Sequence, residues 1–427
     1  MTPLYKIVEY NNSAKLIYKK LPDVSSVSFG IWLNTGSRNE GASINGISHF
    51  LEHLAFKGSK NYTADEIKES IEGVGGSLNA FTSEENTCYY AKFLAKHLKS
   101  VMKVLSDMVL CPLLKKEDIE KERTVIIEEI KMYKDLPQFQ VQELFDDMMW
   151  PNHSLGRNIA GSIGSVSGID RRQIINYHGS WYTPQHIVIA CAGNLDEDIL
   201  EAGSKSIFSR LKNNSREAFK PFLASDTGPQ VRVISKDIKQ THINLGFPGL
   251  NRSHEDRYAL GLLHVILGGN MSSRLFNEVR EKKGLAYEIA THVKKLKDTG
   301  AFFVHAGIDN KKLTDATAVI FKEFDRIRRE KVSRGELRRA KDFFIAQSQM
   351  ALDDSLDHML WLGESLMNLG FMQTKSEMRG HIERVTSGDI QRLCREILRL
   401  DRLQFAVVGS QNRGAEEKIK DMISNFS

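Results

Sequence analysis

At 427 residues the chain is longer than one hydrophobic core usually organises, so two domains of roughly 200 residues each are expected. Hydrophobic residues at 41% and charged residues at 26% exclude a disordered chain, and a net charge of +5 spread over 59 basic and 54 acidic side chains excludes a strong nucleic-acid field. Cys88, Cys111, Cys191 and Cys394 are far apart and form no Cys-x-x-Cys, which argues against a thiolate zinc cluster or a disulfide framework and for packing residues.

The N-terminus, "MTPLYKIVEYNNSAKLIYKK", carries neither an apolar signal core nor an Arg/Ser-rich amphipathic segment. No apolar run reaches membrane-spanning length, so no membrane span and a cytoplasmic location are expected.

Along the chain, "KLIYKK" and "SSVSFGIWLNTGS" cluster β-branched and aromatic residues between turn signals, as strands do. Next comes "SHFLEHLAFKGS", which sets His49, Glu52 and His53 within five residues of an apolar segment. On a helical wheel Ile47, Leu51 and Leu54 fall together, and the three polar residues occupy an arc about 100° wide on the opposite side. Two histidines at i and i+4 can share one ion, although a solvent-facing helix with two histidines is the plainer account. "ADEIKESIEGVGG" reads as a helix capped by Thr63 and ended by glycines, "NTCYYAKFLA" as a strand, and "LAKHLKSVMKVLSDMVLCP" as an amphipathic helix.

Catalytic zinc normally takes three protein ligands, so a third must come from elsewhere. The helical stretch 115–135, "KKEDIEKERTVIIEEIKMYKD", offers several acids. Ile119, Ile126, Ile130 and Tyr133 form its core-facing stripe; Glu122 and Glu129, seven apart, lie on the flank of that stripe, whereas Glu128 falls with Lys121, Thr124 and Lys131. A carboxylate inside an apolar arc must be paired or metal-bound, which makes Glu129 the ligand candidate and Glu122 a supporting acid. An amphipathic helix with snorkelling glutamates would show the same pattern.

The polar stretch 213–230 reads as a linker, and the two sides of it look alike. "QTHINLGFPGLNRSHEDRYALGLLHVILGG" can be laid on "SSVSFGIWLNTGSRNEGASINGISHFLEHLAF", and "LDRLQFAVVGSQNRGAEEKIKDMI" on "PQHIVIACAGNLDEDILEAGSKSI", each running strand, loop, helix. Residues 1–212 are therefore expected to form a zinc-binding domain and 231–427 a homologous domain without the zinc motif. The densest basic run, near 324–342, has helical spacing with interleaved acids, as a solvated helix face does.

Taken together, "HFLEH", "GVGGSLNAFTSEENTCYY", "ERTVIIEEIKMYKDLP", "WPNHSLGRNIAGS", "YTPQHIVIACAGN" and "LGGNMSSRLFNEVREKKGLAYEI" resemble the inverted-motif zinc peptidases of the pitrilysin and insulinase superfamily. The resemblance covers nearly the whole chain and is nearest to the half-length members similar to mitochondrial processing peptidase. It implies an α+β fold of two homologous, sandwich-like halves, each a mostly antiparallel sheet packed with helices. It implies one Zn2+ per chain on His49, His53 and Glu129, with Glu52 as general base, Glu122 in support, and hydrolysis of extended or unfolded peptides. Asn79, Ala80 and Phe81 would lie on an exposed strand that pairs with substrate, although an interior hairpin strand would read the same way. Arg280 and Tyr287 match the family's peptide-holding pair, with Tyr287 able to stabilise an oxyanion. Asn270 stands where the family often has a further glycine. The implied partners are peptides and a second chain, either a copy of this one or a related chain lacking the metal site. The alternative function is a non-catalytic scaffold subunit of the same fold.

Overall fold

A computed structural model describes residues 5–212, 220–223, 228–411 and 414–424. The linker expected at 213–230 lies largely outside the described residues.

The fold is a mixed α/β architecture of two sheets packed by helices. The first sheet comprises β1 (Lys6–Glu9), β2 (Lys15–Lys20), β3 (Ser26–Leu33), β4 (Ser77–Thr82), β5 (Thr87–Leu94) and β6 (Ile187–Gly193), in the order β1-β2-β6-β3-β5-β4. The second comprises β7 (Gln230–Ser235), β8 (Gln240–Pro248), β9 (Ala286–Lys295), β10 (Gly300–Asp309) and β11 (Gln404–Gly409), in the order β7-β11-β8-β10-β9. Apart from the extra strand β1, the topologies coincide: β2–β6 and β7–β11 are the parallel pairs, and the remaining neighbours are antiparallel. The internal repeat seen in the sequence is thus a repeat of sheet order and strand sense.

Between β3 and β6 the chain includes the helices α1 (Ile47–Ala55), α2 (Ala64–Ile71), α3 (Leu98–Leu110), α4 (Lys116–Asp135) and α5 (Pro137–Met149). Thr63 caps α2 by accepting from Glu66 N–H, as its sequence pattern requires. Strand β3 is buried almost throughout because both faces of its sheet are covered. Val27, Phe29, Ile31 and Leu33 face the core built with α1, α2 and α3. Trp32, with Ile17, Val188 and Ala190, faces Met359, Leu362 and Leu366 of the helix Ser355–Leu369. Contact there is close: a Cβ on Gly363 would fall 2.0 Å from Trp32 Nε1, so only glycine fits.

In the second sheet Ile243, Leu245, Phe302 and Val304 face a core shared with the helices Arg257–Leu267, Leu313–Arg329 and Ser387–Ile397. Its other face receives Val141, Phe145 and Met148 of α5, against Phe303, Ala406 and Val408.

The compact units therefore do not coincide with the contiguous halves 1–212 and 231–427. One unit holds 1–131, 157–220 and 349–374; the other holds 132–156, 221–348 and 375–427. Each sheet has a second apolar face to cover, and the helix that covers it comes from the opposite end of the chain. Among the described residues no helix is long and apolar enough to cross a membrane. Cys88, Cys191 and Cys394 are buried and Cys111 is half-buried, all as free thiols.

Candidate metal centre

The site is built on α1, whose first turn is set by the backbone before it. Gly46 takes φ 98°, a conformation that glycine adopts freely, and Ala160 O lies 2.5 Å from where its Cβ would sit. The Glu40 carboxylate accepts from Gly46 N–H at 2.7 Å, Ser48 N–H at 2.9 Å and the Asn45 amide at 2.9 Å. It thereby satisfies helix-start donors that would otherwise be orphaned. Burial pushes the Glu40 carboxyl above the usual carboxylate range, and these hydrogen bonds oppose the shift.

With that start fixed, Ile47, Phe50, Leu51 and Leu54 enter the core, and His49 and His53 stand on the other side with side chains 14% and 22% exposed. In α4 Ile119, Ile126 and Ile130 are buried, Glu122 is buried beside them, and Glu129 is less so. The flank position inferred from helical period brings both glutamates to the histidines.

Nε2 of His49 and of His53 lie 3.8 and 3.6 Å from the same oxygen of Glu129, Oε2, and the two rings are 4.7 Å apart at 70°. These donor separations exceed good hydrogen-bond lengths. They are close to the ~3.4 Å that tetrahedral zinc imposes when its N and O bonds are about 2.0–2.1 Å. Two imidazoles and a carboxylate converging on one point fit a first-row divalent ion and leave a coordination position over.

Nδ1 of His53 is 3.1 Å from Glu122 Oε2, and Lys57 Nζ is 2.7 Å from Glu122 Oε1. His53 is thus oriented from behind by a carboxylate that is itself held. Nδ1 of His49 is buried with no hydrogen-bond partner among the described residues.

The electrostatics differ between the two rings. Burial and the neighbouring His53 lower the pKa of His49 to about 4, against the pull of Glu129. Burial also disfavours the charged form of His53, but Glu129 and Glu122 outweigh it and raise its pKa. The two glutamates thus favour a proton on His53 more than on His49, and a cation entering the site would compete with it.

Glu52 stands beside this pair, and its Oε2 accepts from Thr82 Oγ1 at 2.5 Å. Burial raises the Glu52 carboxyl above its ordinary range, and Thr82 and His53 oppose the shift. Thr82, the last residue of β4, and Lys57 are the site residues that sequence reasoning missed. The one available signal for Thr82 was its place at the end of the strand already singled out.

Strand β4 pairs only with β5 among the described residues, so it forms the edge of its sheet. Asn79 is exposed, with its side chain accepting from Ala80 N–H at 2.8 Å, and Ala80 is half-buried against the core. Phe81 turns its ring onto Trp32 at 5.6 Å and Tyr90 at 6.3 Å, so it engages its own sheet through the side chain.

Arg280 and Tyr287 belong to the other unit. Arg280 lies on the π-helical turn Phe276–Glu281, over Phe276 at 4.8 Å and over the Tyr287 ring at 5.9 Å. Tyr287, on the edge strand β9, is 74% exposed. Asn270 closes its loop by accepting from Ser272 N–H at 2.9 Å and Ser272 Oγ at 2.7 Å, a turn that a glycine could not make with its side chain.

Two sheets of matching strand order, the first with one extra strand and a His-x-x-Glu-His helix packed in its core, define a metallopeptidase-like class. Residues 15–162 match the family model for insulinase (peptidase family M16), and residues 168–344 match that for the peptidase M16 inactive domain. An uncharacterized zinc protease of Streptomyces coelicolor is 34% identical over 416 residues, covering 96% of this chain and 90% of that protein. The uncharacterized zinc protease YmxG of Bacillus subtilis is 34% identical over 391 residues, covering 91% and 95% respectively. In structure, a protease from Helicobacter pylori superposes with a TM-score of 0.89 at 23% identity, covering 95% of this chain and 99% of that one. A chain from Pseudomonas fluorescens described as a peptidase M16 inactive domain superposes with a TM-score of 0.88 at 17% identity, covering 96% and 98%. The chain belongs to the M16 peptidase family and is one of its half-length members.

Proposed function

We propose that the protein is a zinc-dependent endopeptidase acting on extended or unfolded peptides. The observation that carries this reading is the convergence of His49, His53 and Glu129 on one point, with Glu52 alongside and the edge strand β4 ending at Thr82 beside it. The relatives' names, all zinc proteases, support the choice of ion.

A zinc ion on these three groups supplies Lewis acidity toward the scissile carbonyl and makes water acidic enough to react near neutral pH. The remaining work falls to the chain. Glu52 takes the proton of the attacking water and returns it to the leaving amine, and its burial favours such a base by lifting its pKa toward the working pH. Thr82 holds the carboxylate of Glu52 in place, and Glu122 fixes the ring of His53. An extended substrate adds to β4 through backbone pairing, which accepts many sequences. Arg280 and Tyr287 are assigned to hold the peptide on the strength of the family resemblance, which also motivates an active form of two paired chains, as a homodimer or with a related inactive subunit. The location proposed for this chemistry is the cytoplasm.

The test is hydrolysis of an unstructured peptide library by zinc-loaded wild type and Glu52→Gln, with metal content measured in both. Cleavage by the wild type alone, with zinc retained in both, is the expected result. Zinc bound in both with no cleavage by either, alone or with a second chain, would replace this reading with the scaffold function.

A further inference from the structure

The second sheet brings together another group of side chains of the metal-ligating types, outside the His-x-x-Glu-His motif. In an antiparallel sheet, residues in register share a face and alternate along each strand. His242 of β8 and Glu288 of β9 are both in register with Gly307 of the intervening strand β10, and His305 lies two residues before Gly307 on the same face. Gly307 leaves the space between them open: a Cβ there would sit 3.3 Å from Glu288 Oε1. One donor atom from each of His242, Glu288 and His305 lies within 4.8 Å of the others, and His305 Nε2 is 3.4 Å from Glu288 Oε1. We propose that His242, His305 and Glu288 form a second site for a divalent transition-metal ion, separate from the site on α1 and independent of the function assigned to it.

Two observations set this cluster apart from a chance meeting of polar groups. First, His305 is oriented from behind. Its Nδ1 lies 2.8 Å from Asn244 Oδ1, Asn244 Nδ2 donates to Gln142 Oε1 at 2.8 Å, and Gln142 Nε2 donates to Asp146 Oδ1 at 3.0 Å. That relay makes Nδ1 the N–H donor and leaves the Nε2 lone pair facing the cluster, the arrangement common behind metal-ligating histidines. Second, Nδ1 of His242 is buried with no hydrogen-bond partner among the described residues, a cost that an ion or ordered water would relieve. Two imidazoles and one carboxylate select zinc and its first-row neighbours over calcium or magnesium. Glu288 is half exposed, which gives the ion a way in and leaves a position for water.

Occupation would tie the edge strand β9, at the residue after Tyr287, to β8 across β10. The site is therefore placed to stiffen the strand that presents Tyr287.

The experiment uses the full-length chain with His49→Gln and His53→Gln, which silences the site on α1, and Zn2+ alone as the probe. Metal is counted by mass spectrometry after gel filtration, and affinity is read by competition with a chromogenic chelator. The expected result is about one zinc retained per chain, with affinity falling at least about tenfold on adding Glu288→Gln or His305→Gln. No retained zinc, or retention unmoved by both further substitutions, would overturn the proposal. Should the doubly substituted background fail to fold by circular dichroism, Glu288→Gln in the otherwise native chain decides the matter. One zinc fewer than the native chain supports the site, and an unchanged count refutes it. Because the readout is binding, failure of this site and failure of peptidase activity are told apart.

Discussion

Glu122 links His53 to Lys57: one carboxylate oxygen lies 3.1 Å from the imidazole Nδ1 and the other 2.7 Å from the ammonium. The buried carboxylate is thus committed on both sides, and its effect on an ion must pass through the ring of His53. Glu122→Gln keeps the shape and removes the charge. We expect zinc affinity to fall about 10–100-fold, with an unchanged far-ultraviolet spectrum. Chelator competition measures it, and unaltered affinity would show that the pair serves only to pack α4.

Thr82 gives a prediction of the opposite kind. Thr82→Val removes the hydroxyl that donates to Glu52 without touching a ligand. Metal content should be unchanged, while kcat falls about tenfold as the base loses its fixed position. Stopped assays at saturating peptide, paired with metal analysis, separate this from a loss of ion; loss of both together would place Thr82 among structural residues.

Gly363 should be intolerant of any side chain. Gly363→Ala puts a methyl group against the Trp32 indole, and overpacking of this kind costs about 1–3 kcal/mol. Urea denaturation followed by tryptophan fluorescence reads the loss. A neutral result would mean that the helix Ser355–Leu369 shifts on its sheet at little cost.

Acid should loosen the same helix. Asp354 caps it by accepting from Leu356 N–H at 2.7 Å and pairs with Lys92 of β5, and the Lys92 contact holds its carboxyl below the usual range. A carboxyl with a depressed folded pKa stabilises above its unfolded value of 3.8, and that contribution disappears as pH falls through the folded value. Both side chains are about a third or more exposed, so the pair is worth no more than about 1 kcal/mol. Asp354→Asn should therefore be less stable than wild type at pH 7, with the gap closing as pH falls through the folded value of Asp354, as compared by urea midpoints. A gap that persists in acid would assign the effect to the cap alone.

The readability of this protein from its sequence followed the range of the interactions involved. His49, Glu52 and His53 lie within one helix, where a period of 3.6 residues fixes their common side, and Glu122 and Glu129 emerge from the same argument applied to α4. The contact between Thr82 and Glu52 joins the end of a strand to a helix 30 residues earlier, and no local period encodes it. The amphipathic patterns of α5 and Ser355–Leu369 show that each has an apolar face, but not which sheet will receive it. The triad of His242, Glu288 and His305 is harder still, because it requires the register of three strands at once. "QTHINLGF" was legible as a repeat of the first sheet, and its histidine acquires meaning only from Gly307 in the neighbouring strand.

The exchange of covering helices bears on how the chain is made. As synthesis proceeds from the N-terminus, the first sheet has all six of its strands once residue 193 has emerged, yet the helix that shields Trp32 and Val188 is not available until about residue 369. At about 5–20 residues per second the nascent chain spends many seconds with that apolar surface bare, an interval in which chaperone capture or aggregation competes with folding. A gene cut at the linker would make the condition permanent, since each fragment would lack the helix its own sheet needs. The fragments are thus expected to be soluble only when produced together.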